Sequence, residues 1–241
     1  MRTSGEEAED RGALETNRPL KITGICLAAG FSRRMGFPKL RQPLPDGEPL
    51  GASAVRAMAG AGLQRLLVVL REDDDGSWLP GGSGEAAGDA AVEIVACRDA
   101  SLGMAHSLRC GLAAADDGAC GEPPDAVLVA LADQPLVDAG LLARLADVLL
   151  RNPKLDWAAC ALQGVPMPPA IMRRSMFPAL AALEGDRGAR QLFAGAGFRG
   201  EMLGDVAESS LYDADTPEDL EMIAGAWLNR KPAAGRGAQV P

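Results

Sequence analysis

The sequence predicts an α/β domain built around a mainly parallel β-sheet. Short apolar runs alternate along the chain with longer segments of helical periodicity, and this order is typical of strands joined by crossover helices. The runs are apolar throughout, which indicates strands that are buried on both faces. With 241 residues, the chain has the length of one large domain or two small ones.

The individual elements follow from local patterns. Five apolar runs are predicted to be buried strands, at 22–28, 66–70, 92–96, 126–131 and 158–162. Helical patterns are found at 49–62, 104–115, 138–151, 174–183, 187–194 and 216–228. Pro49, Asp138 and the Thr216-Pro217 pair are favourable helix starts, and Gly62 is a favourable stop.

The ends of the chain and one internal segment lack these patterns. We expect a disordered acidic tail at 1–20, an ordered domain at 21–229 and a second disordered tail at 230–241. Within the domain, residues 72–91 are polar and rich in glycine. They are predicted to form a flexible surface loop, and a functional lid is the alternative.

Composition excludes several classes of function. With 33 acidic and 24 basic residues the net charge is −9, which argues against a broad basic face for nucleic acid. One histidine and five scattered cysteines without a C-x-x-C pair argue against most zinc sites and most Ser-His-Asp triads. We expect a cytoplasmic protein, because the cysteines suit a reducing compartment and neither a secretory signal nor an 18-residue apolar run is present.

The strongest motif is the segment 27–39, LAAGFSRRMGFPK, which directly follows the first predicted strand. Gly30 and Gly36 allow backbone angles that expose consecutive N–H groups, and such groups form anion-binding concavities. Arg34 and Lys39 add positive charge, and we expect both on a solvated loop. The spacing matches neither the Walker A pattern nor the G-x-G-x-x-G dinucleotide fingerprint. The segment therefore predicts a different kind of phosphate site.

Carboxylates follow predicted strands at two further places. Asp133 comes at the end of the strand at 126–131, where open α/β sheets bind ligands, and a carboxylate together with a triphosphate is the usual environment of Mg²⁺. Asp213 and Asp215, two residues apart, lie on one face if the segment is extended. Asp215 or Thr216 is equally suited to cap the helix that begins at Pro217, so both interpretations stay open.

A small-residue pattern begins the helix at 104–115. Gly103 and Ser107 flank its first turn, and the hydroxyl is available to a base or a ribose. His106 has no plausible nucleophile beside it and is interpreted as a surface or helix residue, and Arg109 is compatible with a solvated helix charge.

Taken together, these strings resemble the molybdenum cofactor cytidylyltransferase branch of the MobA-like nucleotidyltransferases, over most of 22–224. Ala28-Ala29 favours this branch, since guanylyl-transferring relatives more often have glycine at the second position. Further similar strings are Gly103 with Ser107-Leu108, Asp133-Gln134-Pro135, the segment 185–190 (GDRGAR) and the segment 215–220 (DTPEDL). The chain departs from the acceptor-side pattern Gly-x-x-Gly-x-Pro at Met167, and Met172 stands where an aromatic residue is expected.

The resemblance implies a single Rossmann-like three-layer α/β/α domain of the nucleotide-diphospho-sugar transferase type. It implies Mg²⁺-dependent transfer of a nucleotidyl group from CTP to the phosphate of molybdopterin or molybdenum cofactor, with release of pyrophosphate. An apo-molybdoenzyme is a further partner that the resemblance suggests. The candidate catalytic residues are Arg34 and Lys39. The candidate nucleotide-binding residues are Leu27, Ala28, Ala29, Gly30, Gly103, Ser107 and Asp133. The candidate metal ligands are Asp133, Asp215 and Asp213. The candidate acceptor-binding residues are Gly164, Pro169, Arg187 and Arg190.

This chemistry needs no general base. A phosphomonoester acceptor has a second pKa near ~6 and is already anionic at neutral pH, so catalysis requires only positioning and charge neutralisation. Three alternatives remain: the same fold using GTP or another phosphorylated acceptor, a non-catalytic molybdenum cofactor maturation factor, and an α/β interaction module. The last would leave Arg34, Lys39 and Asp133 without a shared purpose.

Overall fold

The computed structural model describes residues 19–81, 91–117, 122–185 and 188–230. Its strands are β1 (Ile22–Leu27), β2 (Arg65–Arg71), β3 (Ala91–Cys97), β4 (Ala126–Leu131), β5 (Trp157–Leu162), β6 (Val165–Arg173) and β7 (Gly200–Leu203). Its α-helices are α1 (Leu50–Ala59), α2 (Met104–Asp116), α3 (Ala139–Arg151), α4 (Phe177–Ala181), α5 (Arg190–Phe193) and α6 (Pro217–Leu228). Short 3₁₀ turns lie at Lys39–Arg41, Arg98–Leu102, Arg174–Met176 and Glu208–Leu211.

The strands form a mixed, mostly parallel sheet of seven strands in the order β3-β2-β1-β4-β6-β5-β7. β1 pairs in parallel with both β2 and β4, and β3 extends the parallel part at one edge. β6 runs antiparallel to β4 and to β5, whereas β7 pairs in parallel with β5. The predicted α/β class with a mainly parallel sheet is therefore confirmed.

Helices cover both faces of the sheet and make two separate cores. Along β2, Leu66, Val68 and Leu70 pack into the core that contains α1 and α3, whereas Leu67 and Val69 pack into the core that contains α2. Successive side chains of a strand point to opposite faces, so a strand buried on both sides must be apolar at every position. The result is the three-layer α/β/α arrangement.

The structure contains two strands that the sequence analysis missed. β6 begins with a proline-rich stretch, VPMPP, and proline lacks the N–H that a sheet ladder uses, so its pattern argued against a strand. Its second half, residues 170–173, pairs with β4 and is buried up to Met172. β7 has four residues and three of them are exposed, so it carries almost no apolar signal.

Two predicted helices are shorter than expected. Of the segment 187–194, the described residues 188–194 contain only the short helix α5, and the segment 174–183 is divided into a 3₁₀ turn and the five-residue α4. Pro178 lies in the first turn of α4 and has no N–H for a helix that continues from residue 174. Gly188 has a left-handed φ of 53°, so α5 begins only after it. The other four predicted helices agree with the structure to within a few residues at their ends.

The segment predicted as a flexible surface loop is partly anchored in the core. Trp78 and Leu79 are buried, with 2% and 5% of their surface exposed, and the Trp78 ring lies against Gly51 of α1, where an added Cβ would be 2.6 Å from it. The prediction was wrong for this part, because two apolar side chains outweigh the polarity of their neighbours. The rest of that loop (82–90), and nearly all of the two predicted tails (1–18 and 231–241), lie outside the described residues. Among the helices described, none has the length and apolarity needed to cross a bilayer.

Candidate active site

A cleft of about 410 Å³ opens at the carboxyl edge of the parallel strands. β1 and β4 are neighbours in register, with Leu27 opposite Leu131, so the segments that follow them leave the sheet side by side. The lining of the cleft includes Ala29, Gly30, Arg34 and Asp133. The strongest sequence motif and the carboxylate after β4 therefore lie at one site.

The loop after β1 is held by its own backbone and by one arginine. The N–H groups of Met35 and Gly36 donate to the carbonyl oxygen of Ser32, and both Ser32 and Gly36 have left-handed φ values. From the end of β2, the guanidinium of Arg71 donates to the carbonyl oxygen of Gly30 at 2.8 Å. An added Cβ at Gly30 would meet no protein atom within 4 Å, so this glycine leaves open space in the cleft.

Lys39 joins two carboxylates that are distant in sequence. Its Nζ donates to Oδ2 of Asp133 at 2.5 Å and to Oδ1 of Asp215 at 2.9 Å. Arg34 donates to the other oxygen of Asp215 at 2.5 Å. Two candidate catalytic cations and two candidate metal ligands thus form one charged network.

The two cations differ in burial, which corrects one expectation. The side chain of Arg34 is 69% exposed, as expected for a solvated loop, but that of Lys39 is only 8% exposed. Burial by itself would lower the pKa of Lys39, but the charges and hydrogen bonds of Asp133 and Asp215 outweigh it and raise the pKa above its ordinary value. Lys39 was predicted on a solvated loop because the carboxylates that enclose it come from remote parts of the chain.

Burial opposes ionisation of Asp215 as well, yet the hydrogen bonds and charges of Lys39 and Arg34 hold its pKa below the usual range. Its neighbour Asp213 behaves in the opposite way. Burial, followed by the nearby charge of Asp133, raises the pKa of Asp213 to about 6. Asp213 lines the cleft, and within the described residues its Oδ1 is buried without a hydrogen-bond partner. The two aspartates are therefore not equivalent.

The helix-cap alternative is resolved in favour of Thr216. Its Oγ1 accepts from the N–H of Asp219 at 3.2 Å, and the Asp219 carboxylate accepts in return from the N–H of Thr216 at 2.8 Å. This reciprocal pair is a capping box. The side chain of Asp215 is consequently free of capping and engages Lys39 and Arg34 instead.

The other wall of the cleft contains most of the residues predicted to contact a nucleotide. Leu27, Ala29, Gly103 and Ser107 all line it. Gly103 has a φ of 117°, a value that only glycine adopts readily. Ala28 is an exception, because its side chain packs in the core on the opposite face of the sheet and does not line the cleft.

The candidate acceptor residues are only partly brought together. A second, more apolar cavity of about 280 Å³ adjoins the cleft and shares Leu27, Met104, Leu131 and Asp213 with it. Arg190 lines this cavity. Pro169 does not line it, although its neighbours Pro168 and Ala170 do, and Gly164 lies in the turn between β5 and β6, away from both cavities. Arg187 lies outside the described residues.

The carboxylates at the site fit a divalent cation that also binds substrate. The oxygens of Asp133 and Asp215 converge closely enough to contact one ammonium group. Among the residues described, no group of three or more His, Cys, Asp or Glu side chains forms a complete metal cage. Mg²⁺ characteristically uses one or two carboxylates and completes its octahedron with water and substrate phosphates, so this donor set suits it.

Several residues of the site were not found from the sequence. They are Ser32, Arg71, Met104 and the fully buried Gln134. The Oγ of Ser32 accepts a hydrogen bond from the N–H of Lys39. Arg71 was detectable in principle, because it directly follows the predicted strand at 66–70. Ser32 lies within the motif at 27–39 and Gln134 next to Asp133, but neither was named as a site residue, and Met104 carries no pattern that distinguishes it from an ordinary helix residue. His106 lies on α2 in contact with Arg109, which donates to the carbonyl oxygen of Leu183 at 2.7 Å and so is not a solvated charge.

Comparison with known proteins agrees with this fold. Residues 24–202 match the MobA-like NTP transferase domain. The purine catabolism protein PucB of Bacillus subtilis (strain 168) is 30% identical over 207 residues, which span 85% of this chain and 97% of PucB. The chain therefore belongs to the family of MobA-like NTP transferase domains.

Two solved structures resemble the whole domain. Rv0371c from Mycobacterium tuberculosis H37Rv, in complex with manganese, is 25% identical with a TM-score of 0.64, covering 86% of this chain and 99% of the other. The Rv0371c homologue from Mycobacterium sp. strain JC1 is 27% identical with a TM-score of 0.69, covering 86% and 97%. Both similarities extend over nearly the full length of the relatives, so the shared fold covers the whole of each relative's domain.

Proposed function

We propose that this protein transfers a cytidylyl group from CTP to the terminal phosphate of a molybdopterin-type cofactor and releases pyrophosphate. The observation that carries the proposal is the convergence of Arg34, Lys39, Asp133 and Asp215 at one cleft beside the loop at 27–39. Two cations and two carboxylates at a strand edge are what phosphoryl chemistry needs for positioning and for charge neutralisation. The reaction takes place in the cytoplasm.

Each residue of the cleft has a distinct role in the proposed reaction. The acceptor phosphate is the nucleophile and the α-phosphorus of the nucleotide is the electrophile. Arg34 and Lys39 stabilise the charge that develops on the phosphates, with the backbone of the loop placed against them. Asp133 and Asp215 would hold Mg²⁺, which would neutralise the phosphates and the leaving pyrophosphate. The manganese in the Rv0371c complex supports a divalent cation in this family.

The nucleobase would lie against Ala29, Gly103 and Ser107. Ala29 and Ser107 are each 5% exposed, so this wall is closely packed and favours a pyrimidine over a purine. The adjoining apolar cavity would receive the acceptor: Met167, Met172 and Phe193 line it and suit a flat heteroaromatic ring. Arg190 is the cation available there for the charge of the acceptor.

The test is release of pyrophosphate from each of the four ribonucleoside triphosphates, with and without molybdenum cofactor. Release from CTP alone among them, dependent on cofactor, is the expected result. Pyrophosphate release from GTP would show that the protein transfers a guanylyl group. Pyrophosphate release with a different phosphorylated acceptor would show that the second substrate is not molybdenum cofactor. Binding of cofactor without release would favour the non-catalytic maturation factor, which then would deliver cofactor to an apo-molybdoenzyme.

A further inference from the structure

The position of Lys39 relative to the two carboxylates bears on how metal and nucleotide bind. Its ammonium group contacts one oxygen of Asp133 and one oxygen of Asp215. Mg²⁺ binds carboxylate oxygens at about 2.0–2.1 Å, so an ion bound to both of these oxygens would occupy the space between them. Two positive charges do not share that space, because the ammonium nitrogen already lies within 2.9 Å of each oxygen.

We infer that the Lys39 ammonium and a divalent cation compete for Asp133 and Asp215, and that this competition couples metal binding to phosphate binding. Lys39 releases the carboxylates only when another anion accepts its charge. The phosphates of a nucleotide in the same cleft are that anion. Lys39 is then a residue that controls access to the metal site as well as one that binds phosphate.

The geometry permits this exchange. Lys39 lines the same cleft as Gly30, Ser32 and Arg34. Phosphates bound against this loop would therefore lie in the same cleft as the Lys39 ammonium. A lysine carries its charge on a flexible four-carbon stem, and a change of rotamer moves the ammonium without moving the backbone. Lys39 is only 8% exposed, so its charge does not reach bulk water easily and needs a partner within the cleft.

Arg34 does not compete in the same way. Within the part of the chain that the structure describes, its ion pair is with Asp215, through the oxygen that Lys39 leaves unused, and its side chain is 69% exposed. An ion between Asp133 and Asp215 therefore displaces Lys39 and leaves Arg34 in place. Replacing Lys39 therefore tests direct competition with the metal ion. Replacing a cation that does not lie between the two carboxylates tests only a general effect of positive charge.

The coupling is reciprocal. If nucleotide raises the affinity of the protein for metal, metal raises its affinity for nucleotide by the same factor. Without nucleotide, Lys39 opposes metal binding, so wild-type protein should bind Mn²⁺ weakly. The inference depends on the proposed function only in identifying the incoming anion as a nucleoside triphosphate.

The experiment is a titration with Mn²⁺ alone, followed by the electron paramagnetic resonance signal of free Mn²⁺. Lys39→Met removes the ammonium and keeps an unbranched side chain, and Lys154→Met removes the same charge from an exposed site outside the cleft. We expect Lys39→Met to bind Mn²⁺ at least about tenfold more tightly than wild type, which corresponds to about 1.4 kcal/mol. Lys154→Met should match wild type. Circular dichroism establishes that each variant is folded, and Lys39→Gln replaces Lys39→Met if that variant is not.

Two results would overturn the inference. The first is a Lys39→Met or Lys39→Gln affinity for Mn²⁺ that equals or falls below that of wild type. The second is an increase in Mn²⁺ affinity that persists in a double variant combining Lys39→Met with Asp133→Asn, since the ion would then bind elsewhere. Addition of CTP should strengthen Mn²⁺ binding to wild type more than to the Lys39 variant. Failure of the proposed function is read separately, as absence of pyrophosphate release, and the nucleotide-free titration remains interpretable in that case.

Discussion

The Nζ atom of Lys39 lies 2.5 Å from Oδ2 of Asp133, although the two residues are 94 positions apart. The contact exists because β1 and β4 are adjacent parallel strands and both residues belong to segments that follow their carboxyl ends. A backbone hydrogen bond of 2.9 Å, from the N–H of Ala214 to the carbonyl oxygen of Asp133, brings the segment of Asp215 to the same place. The loop proposed to bind phosphate and the candidate metal ligands are consequently one electrostatic unit.

Arg34→Ala and Lys39→Ala should each reduce nucleotidyl transfer by about 10²–10³-fold, because each removes a preorganised cation from the developing charge. Their effects on stability should differ. Arg34 is exposed, so its loss should change the free energy of unfolding by less than about 0.5 kcal/mol. Loss of Lys39 leaves Asp133 and Asp215 facing each other and should cost about 1–3 kcal/mol. Arg151→Ala and Lys154→Ala are matched controls, and wild-type turnover in either site variant would contradict the assignment.

Asp133→Asn should abolish metal-dependent transfer while leaving the fold intact. Asparagine has the same shape as aspartate but lacks the charge that a hard cation requires. Asp215→Asn should act in the same direction, and Asp213→Asn should have a smaller effect, because the hydrogen bonds of the Lys39 ammonium go to Asp133 and Asp215. Steady-state pyrophosphate release over a range of Mg²⁺ concentrations measures this. Full activity of Asp133→Asn at low Mg²⁺ would exclude it as a ligand.

Thr216→Ala and Asp215→Asn should separate stability from activity. Thr216 caps α6, and loss of such a cap typically costs about 1 kcal/mol, so its variant should unfold at lower denaturant concentration. Asp215→Asn leaves the capping box in place and should affect turnover far more than unfolding. Denaturant titration and initial rates on the same samples test both. The opposite pattern, with Asp215→Asn affecting only stability, would assign Asp215 to the helix end.

Asp213 predicts a dependence of stability on pH. Its pKa is raised from 3.8 to about 6 by burial and by the charge of Asp133. Above about pH 6 the carboxylate is charged in both states and its burial destabilises the folded protein. As the pH falls through 6 towards 3.8, the folded state takes up the proton first and this penalty disappears.

Asp213→Asn should therefore be more stable than wild type at pH 8, by about 1–3 kcal/mol at roughly 1.4 kcal/mol per pKa unit. The advantage should vanish towards pH 4. Unfolding free energies in buffer containing a metal chelator measure it, and Asp147→Asn, at an exposed ion pair on α3, is the control without such a trend. An advantage that stays constant from pH 8 to pH 4 would contradict the raised pKa.

Base preference depends on the packing around Ala29. Its methyl group occupies space that a glycine would leave open, and such exclusion is worth about 1–3 kcal/mol. We expect CTP to be preferred over GTP by about ten- to a hundred-fold, at about 1.4 kcal/mol per factor of ten. Ala29→Gly should narrow the ratio, with Gly103 and Ser107 keeping CTP ahead. A competition assay at equal concentrations decides this, and equal consumption of GTP by wild type would reject the cytidylyl assignment.

The central elements were predictable because their physical cause is local. Strands such as β4, with every side chain buried or nearly so, must be apolar at each position, and the sequence shows this directly. β6 was missed because its prolines argue against a strand when read alone. In the structure, the hydrogen-bonded pairing of its second half with β4 and β5 stabilises the strand, which the local propensity of its residues would not do alone.

The sequence by itself determined the α/β class, the strands β1 to β4, the glycine-containing loop after β1 and the position of Asp133 after β4, since each depends on residues close together in the chain. Only the tertiary structure decided that Lys39 is buried between Asp133 and Asp215, that Thr216 rather than Asp215 caps α6, and that Trp78 lies in the core. These depend on which strands become neighbours and on what then encloses each side chain. Burial and ion pairing are properties of surroundings contributed by remote segments, and a single stretch of sequence does not contain them.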